Sequence, residues 1–214
     1  MQLFCYGLLS FVIPISLLGL YLVINHISLD HLLLSDANEQ YVYLFRYLKE
    51  ILTGQQSIFY SFSKGLGGPM WGTFCYYLAS PLHYFVVFIS DNMIPDFMGF
   101  LSIVKIGLSG FTMYYYLDKH TVNHPLLNLT FSLSYAFMTY NIIYYFHLMW
   151  LDVVYLTPLV IHGCDQILDN KKSKRIIIPL RFTLNKKNDK IYLEGIKEVF
   201  FRGKTEKMDI RRKN

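Results

Sequence analysis

Two aspartates stand at positions where a carboxylate can do chemistry. Asp36 lies between a long apolar run and a helical pattern, and Asp152 lies at the start of another apolar run. A carboxylate within hydrogen-bond distance of a hydroxyl group can take its proton as the oxygen attacks an electrophile. Each residue also has a simpler explanation. Asp36 can cap the helix that follows it, and Asp152 can pair with a polar neighbour inside the protein. From the residues alone, both explanations stay open.

The segment from Lys64 to Gly72 reads Lys-Gly-Leu-Gly-Gly-Pro-Met-Trp-Gly. Its four glycines and one proline exclude a regular helix. A phosphate-binding loop of the nucleotide-binding type would need the pattern G-x-x-x-x-G-K-[ST], which the segment lacks. The composition therefore predicts a structured turn, packed by Trp71 and the tyrosines that follow.

The histidines and Lys105 give weaker signals. The seven histidines form no H-x-x-x-H pair on a predicted helix, so a zinc site is not expected. His147 lies close to Asp152 in the sequence and is the one histidine that we would test. Lys105 lies inside an apolar run, where a lysine is expected to snorkel to the interface or to pair with a phosphate.

The candidate residues lie in or between long apolar runs, which are candidate membrane-spanning helices. A bilayer core takes about 20 consecutive apolar residues of a helix. Four runs come close to that length or exceed it, and they cover residues 3–24, 97–117, 126–146 and 151–168. The first run has no basic residue before it and no small-residue cleavage site after it, so we interpret it as an uncleaved anchor. A fifth run, residues 74–89, is shorter and contains Pro81 and His83.

Charge decides how many of these runs cross the membrane. The 214 residues sum to +5, but residues 1–170 hold five basic and ten acidic residues, for −5, and residues 171–214 hold fifteen and five, for +10. Cytoplasmic loops are enriched in Lys and Arg. Four crossings place the basic cluster after residue 170 inside the cell, whereas five would place it outside. We therefore predict four spans, with residues 25–96 as one outer loop and residues 74–89 along the outer surface.

The overall composition agrees with an all-α, polytopic membrane bundle. Hydrophobic residues make up 53% of the chain and charged residues 16%, against about 25% charged in a typical soluble domain. The aromatic content of 17% excludes a disordered chain. Three widely spaced cysteines exclude a small disulfide-stapled domain.

One helix is predicted within the outer loop. Apolar residues recur at steps of three and four over residues 38–52. Ser35 or Asp36 would cap the start of this helix. Glu39 in the first turn would be stabilised by the positive end of the helix dipole.

Three short motifs, in their order and spacing, resemble the start of the YfhO family of bacterial membrane proteins. They are Ser35-Asp36-Ala37-Asn38-Glu39-Gln40-Tyr41; the stretch from Phe59 to Gly68 with Tyr76-Tyr77-Leu78-Ala79-Ser80-Pro81 after it; and Met149-Trp150-Leu151-Asp152 with Pro158-Leu159 after it. The resemblance covers about residues 1–172. The family is similar to the GT-C glycosyltransferases, integral membrane enzymes that take a sugar from a polyprenyl-phosphate donor. YfhO-type proteins are linked to glycosylation of cell-envelope polymers such as teichoic and lipoteichoic acid in Gram-positive bacteria.

The resemblance implies roles for several residues. GT-C enzymes carry an acidic catalytic residue early in the first outer loop, and Asp36 matches that position. Asp152 is a second candidate on other grounds, because the four-span topology places it on the same side of the membrane as Asp36. The leaving lipid phosphate needs a cation, which Arg46, Lys64 or a carboxylate-bound divalent metal would supply. The loop beside the donor would be shaped by Gly65, Gly67 and Gly68.

The sequence thus predicts a membrane domain over residues 1–170 and a basic cytoplasmic tail over residues 171–214, which faces membrane lipid rather than nucleic acid. The expected activity is transfer of a sugar from a polyprenyl-phosphate carrier to a cell-envelope polymer, by a multi-pass protein of the cell membrane. Because YfhO proteins continue with further spans, a non-catalytic alternative stays open. It is a truncated or frameshifted remnant, or an accessory membrane subunit.

Overall fold

The computed structural model describes residues 2–120, 124–168, 183–187 and 190–194. The chain divides into two units, Met1–Leu156 and Thr157–Asn214. The described residues form these α-helices: α1 Gln2–Ile24, α2 Val42–Leu52, α3 Trp71–Thr73, α4 Ile94–His120, α5 Pro125–Ala136, α6 Thr139–Ile143 and α7 Leu148–Leu168. In the described part of the chain, the strands form two short antiparallel pairs, β1 Tyr60–Ser61 with β2 Gly68–Pro69, and β3 Thr183–Lys187 with β4 Lys190–Glu194. The predicted all-α class is confirmed.

Within the described residues, three helices are long and apolar enough to cross a membrane: Cys5–Ile24, Asp91–His120 and Leu148–Gln166. Small residues bring the first two together. A Cβ added at Gly107 of α4 would lie 3.0 Å from the Phe11 carbonyl oxygen, and one added at Gly110 would lie 2.5 Å from that of Ser10. Close backbone contact through glycine is the usual way for helices to pack in a bilayer. Three of the four predicted spans are therefore helices of the expected length.

The predicted span at residues 126–146 is not one helix. At 1.5 Å per residue, the twelve residues of α5 reach only about 18 Å, and the chain turns at Phe137 before α6 begins. Asn141 explains why the break is stable. Its buried side-chain amide donates to the backbone carbonyls of Tyr135, at 3.3 Å, and Ala136, at 3.0 Å. Helix-end carbonyls buried without such partners would be costly.

Residues 25–96, the predicted outer loop, form a hydrophobic core that packs against the first turns of α4. The helix predicted over residues 38–52 is confirmed, as a π-helical turn, Ala37–Tyr41, followed by α2. Residues 74–89 are divided between a second π-helical turn, Phe74–Leu78, and a 3-10 helix, Pro81–Phe88, neither of them long enough to cross a bilayer. The core side chains include Tyr41, Phe45, Leu48, Leu78, Val86, Ile94 and Met98.

Most of the predicted cytoplasmic tail lies outside the described residues. The part that is described is the β3–β4 hairpin, in which Lys187 pairs with Lys190 at the turn. The side of the membrane on which each loop lies, and the count of four crossings, stay predictions.

Candidate functional site

Asp36 lies where the chain enters the π-helical turn, and its carboxylate is exposed. The predicted capping role is wrong. Neither Ser35 nor Asp36 makes a side-chain capping bond, because backbone carbonyls already satisfy the first N–H groups. The amides of Asn38 and Glu39 donate to the Ser35 carbonyl at 3.1 and 3.2 Å. Ser35 takes the left-handed conformation, with φ of 50°, to make this turn. The carboxylate is thus not used to start the helix.

Tyr41 and His147 lie close enough to Asp36 for its charge to act on both. The Tyr41 hydroxyl and His147 Nδ1 are 3.0 Å apart, although the residues are 106 positions apart in sequence. Burial raises the pKa of Tyr41 to about 12, and the neighbouring Tyr77 and the negative charge of Asp36 add to the shift. Burial lowers the pKa of His147, against the opposing charge of Asp36. At neutral pH the carboxylate therefore faces a neutral imidazole and a neutral phenol.

A group of aromatic side chains extends from this point. The ring of His147 lies 4.4 Å from that of Trp150, and Tyr144 lies 5.9 Å from Trp150, measured between centroids. The Trp150 indole N–H donates to the Tyr76 hydroxyl at 3.1 Å. We call these residues the aromatic platform: Tyr76, Tyr77, Tyr144, His147 and Trp150. The fold thereby brings residues of all three motifs together, since Asp36 comes from the first, Tyr76 from the second and Trp150 from the third.

Asp152 lies in a different environment. Its Oδ1 is 2.9 Å from the ammonium group of Lys105, which is fully buried, and accepts a hydrogen bond from the Ser80 hydroxyl at 3.1 Å. Lys105 also contacts His83 Nε2 at 2.8 Å and donates to the Leu148 carbonyl at 3.0 Å. The expectation that Lys105 snorkels or binds a phosphate is therefore wrong, because its charge is buried and paired with Asp152. This ion pair accounts for both charged residues without a catalytic role, and such a role for Asp152 stays a prediction.

The two carboxylates thus have different partners. Residues 76–83 and 144–152 supply neighbours to both, but Asp36 faces neutral rings whereas Asp152 faces a cation. His147 was singled out from the sequence for its closeness to Asp152. In the structure its Nδ1 contacts the Tyr41 hydroxyl, and its pKa is influenced by the charge of Asp36. His83 was not identified as a site residue. The only sequence signal was a polar residue inside the apolar run at residues 74–89.

Acidification should destabilise the first unit. Burial lowers the pKa of His147 and, together with the charge of Lys105, holds the pKa of His83 well below its ordinary value. Between the lowered values and the ordinary value of about 6.5, the unfolded chain binds protons that the folded chain does not. The stabilisation is therefore present above pH ~6.5 and is lost as the pH falls. Thermal unfolding in detergent, followed by circular dichroism, should show Tm falling below this pH and falling less steeply in the His147→Asn variant. A rise of Tm on acidification would contradict the assignment.

Lys64 closes its own loop. Its ammonium group donates to the Pro69 carbonyl at 3.1 Å and to the Thr73 hydroxyl at 2.9 Å. Arg46 lies on the exposed face of α2. No hydrogen bond or ion pair within the described residues joins either cation to Asp36. Their predicted contacts with substrate stay predictions.

The glycine-rich segment is the structured turn that the sequence predicted. It joins β1 to β2, and Trp71 stacks between Phe59, at 5.7 Å, and Phe74, at 5.8 Å. Gly65 and Gly67 take positive φ values of 62° and 100°, and a Cβ added at Gly68 would be 3.7 Å from the Lys64 side chain. These glycines shape the hairpin, and no contact joins them to Asp36.

Replacement of Gly67 by alanine should loosen the β1–β2 hairpin. An alanine would have to adopt a φ of +100°, and its Cβ would lie 2.5 Å from the Tyr60 hydroxyl oxygen. Backbone strain of this kind costs about 1–3 kcal/mol. Limited proteolysis should cut the variant faster between residues 60 and 69. The matched control is Gly72→Ala, in α3 with open space around it, and equal cleavage of both variants would contradict the argument.

The charged and histidine side chains do not assemble into a metal centre in the part of the chain that the structure describes. No group of three or more His, Cys, Asp or Glu residues there could hold a metal ion.

Comparison with known proteins gives one match. A family model described as bacterial membrane protein YfhO matches residues 10–186, which is more than four fifths of the chain. The matched range contains all three motifs, the aromatic platform and both carboxylates, and it extends past the boundary expected near residue 170. No curated protein and no solved structure matches the chain.

Proposed function

This chain belongs to the YfhO family of bacterial membrane proteins, and from this premise we propose that it acts as a GT-C-like glycosyltransferase. It is a multi-pass membrane protein. The proposed reaction transfers a sugar from a polyprenyl-phosphate carrier to a hydroxyl group of a cell-envelope polymer such as teichoic acid. The reaction takes place on the outer face of the membrane, with Asp36 as the general base.

The observation that carries the proposal is the environment of Asp36. A base must be reached by the hydroxyl group whose proton it accepts, whereas a carboxylate held by a buried cation is already used as a structural partner. Asp36 is exposed, faces neutral rings and makes no ion pair within the described residues. Asp152, by contrast, is neutralised by Lys105. The environments favour Asp36 over Asp152 as the residue that accepts the proton.

The chemistry follows from this assignment. The acceptor oxygen attacks the anomeric carbon, the bond from that carbon to the phosphate oxygen breaks, and the hydroxyl proton passes to Asp36. The polyprenyl phosphate leaves with its negative charge. A cation would stabilise that charge, and the candidates are Arg46, Lys64 and a divalent metal ion. Lys64 uses two of its three N–H donors within its own loop, which leaves one for a phosphate oxygen.

The test is a transfer assay on the full chain in membranes. A radiolabelled sugar is supplied on a polyprenyl phosphate, and incorporation into envelope polymer is measured, with membranes that carry Asp36→Asn as the comparison. Incorporation that depends on Asp36 supports the proposal. Equal incorporation by the two membranes would reject Asp36 as the base. A folded chain that gives no incorporation would favour the accessory, non-catalytic role instead.

A further inference from the structure

The aromatic platform beside Asp36 combines exposed ring surface with polar groups. Three of its side chains are partly exposed to solvent: 36% for Trp150, 39% for Tyr144 and 53% for Tyr76. A ligand can therefore reach them, since they are not buried in the hydrophobic core. Each of these side chains ends in, or contains, a group that can form hydrogen bonds. Two sets of contacts connect Trp150 to the carboxylate region, one through His147 and one through Tyr76 and Tyr77.

Resting on the proposed function, we infer that the platform is a binding subsite for a neutral sugar ring. Trp150 and Tyr144 pack against the C–H face of the ring, and Asp36 accepts hydrogen bonds from its hydroxyl groups. Aromatic faces carry partial negative charge, to which the weakly positive C–H groups of a pyranose are complementary. The same ligand has a rim of hydroxyl donors, which a carboxylate accepts through strong, charge-assisted bonds.

Charge distinguishes a neutral sugar from a phosphate at this position. Asp36 is negative, the pKa of His147 is lowered by burial, and no ion pair brings a cation to Asp36 within the described residues. An anionic headgroup or phosphate placed on the platform would be repelled by the carboxylate. A ligand that suits both the aromatic rings and the negative charge of Asp36 is therefore uncharged and rich in hydroxyl groups.

Other exposed rings of residues 25–96 lack this combination. Phe62, Phe85 and Phe88 are strongly exposed, yet phenylalanine offers no hydrogen-bonding group. Such rings suit an apolar neighbour, whereas the platform also suits a polar one. An interfacial belt, which anchors a protein through Trp and Tyr, is the competing explanation for the platform, and the experiment must separate the two.

The two tryptophans of the chain, Trp71 and Trp150, allow a direct measurement. In the Trp71→Phe variant, Trp150 is the single source of indole fluorescence. Titration of this variant, full-length and in detergent micelles, with methyl glucoside, methyl galactoside and methyl N-acetylglucosaminide should give a saturable change in Trp150 emission with at least one of them. Sorbitol, an open-chain polyol, should give none, because it presents no ring face. The Trp150→Phe variant, which keeps Trp71, is the matched control and should not respond.

Two further measurements, KM in a Trp150→Ala variant and the comparison of fluorescence with transfer, identify the sugar and separate this inference from the proposed function. A Trp150→Ala variant should raise KM for the donor if the platform holds the transferred sugar, and KM for the acceptor if it holds a sugar of the polymer. Saturable fluorescence with no Asp36-dependent transfer would retain the subsite and reject the enzyme. Asp36-dependent transfer with no fluorescence response and unchanged KM values would reject the subsite and retain the enzyme. Quenching of Trp150 by brominated lipid, without any response to sugar, would overturn the inference in favour of an interfacial belt.

Discussion

Transfer should fall by about 10²- to 10⁴-fold when Asp36 is replaced by asparagine, which is the usual contribution of a positioned general base. Asparagine keeps the size and shape of the side chain but cannot accept the proton. The loss should appear mainly in kcat, because asparagine keeps an oxygen that accepts hydrogen bonds from the substrate. KM should rise by a smaller factor, because those bonds are no longer charge-assisted. Initial rates of labelled sugar incorporation, measured over a range of donor concentrations, give both constants.

The stability of the protein should not change in this variant. The carboxylate of Asp36 neither caps the helix nor joins an ion pair in the described structure, so the free energy of unfolding has no evident dependence on it. The matched control is Glu39→Gln, which removes an exposed carboxylate from the same π-helical turn. Equal losses in both variants would indicate a general effect of charge on residues 25–96. Full activity in Asp36→Asn would remove the residue from the mechanism.

The sequence was a good guide wherever a local pattern determines the structure. An uncharged run of apolar residues has few alternatives to a long helix, and α1 was predicted on that ground. The helix over residues 38–52 followed from its three-and-four spacing. The turn at Lys64–Gly72 followed from glycines that adopt φ values unfavourable to other residues.

The features that sequence reasoning missed depend on contacts between distant segments. The break after α5 needs Asn141 to fold back on carbonyls of the preceding helix, and apolar content alone cannot reveal that. His147 was linked to Asp152 by sequence distance, but the partners in the structure come from distant segments, Tyr41 for His147 and Lys105 for Asp152. The cap predicted at Asp36 was replaced by backbone bonds that follow from the conformation of Ser35.

The pairing of Lys105 also came from a distant segment, and it changes how the two carboxylates should be ranked. A lysine in an apolar run needs a partner, but the sequence offered several acids and no means of choosing among them. Asp152 is that partner in the structure. The unexplained charge of Lys105 in a span is therefore half of an ion pair. Of the two candidate carboxylates, Asp152 has a cation partner and Asp36 makes no ion pair within the described residues.

Breaking the Lys105–Asp152 pair from one side should cost about 3–5 kcal/mol of the free energy of unfolding, because it leaves an uncompensated buried charge. In Lys105→Met the Asp152 carboxylate loses its cation. In Asp152→Asn the buried ammonium group loses its counter-charge and keeps only neutral partners, which are His83, the Leu148 carbonyl and the asparagine amide oxygen. Denaturant unfolding in detergent, followed by circular dichroism, measures both losses. The double variant should lose less free energy of unfolding than the sum of the losses in the two single variants. The difference, which is the coupling energy of the pair, should be about 0.5–3 kcal/mol.

The exposed pair formed by Lys49 and Asp91, at 2.5 Å, provides the matched control for this cycle. Its members are partly in solvent, where an ion pair contributes little to stability, so Lys49→Met and Asp91→Asn should each lower the free energy of unfolding much less than the Lys105 and Asp152 variants do. Equal costs at the two pairs would contradict the role assigned to burial. The double variant at Lys105 and Asp152 then tests the chemistry as well. If it folds and retains Asp36-dependent transfer, Asp152 acts as the structural partner of Lys105. If it folds but has lost transfer, the catalytic role that the sequence suggested for Asp152 is restored.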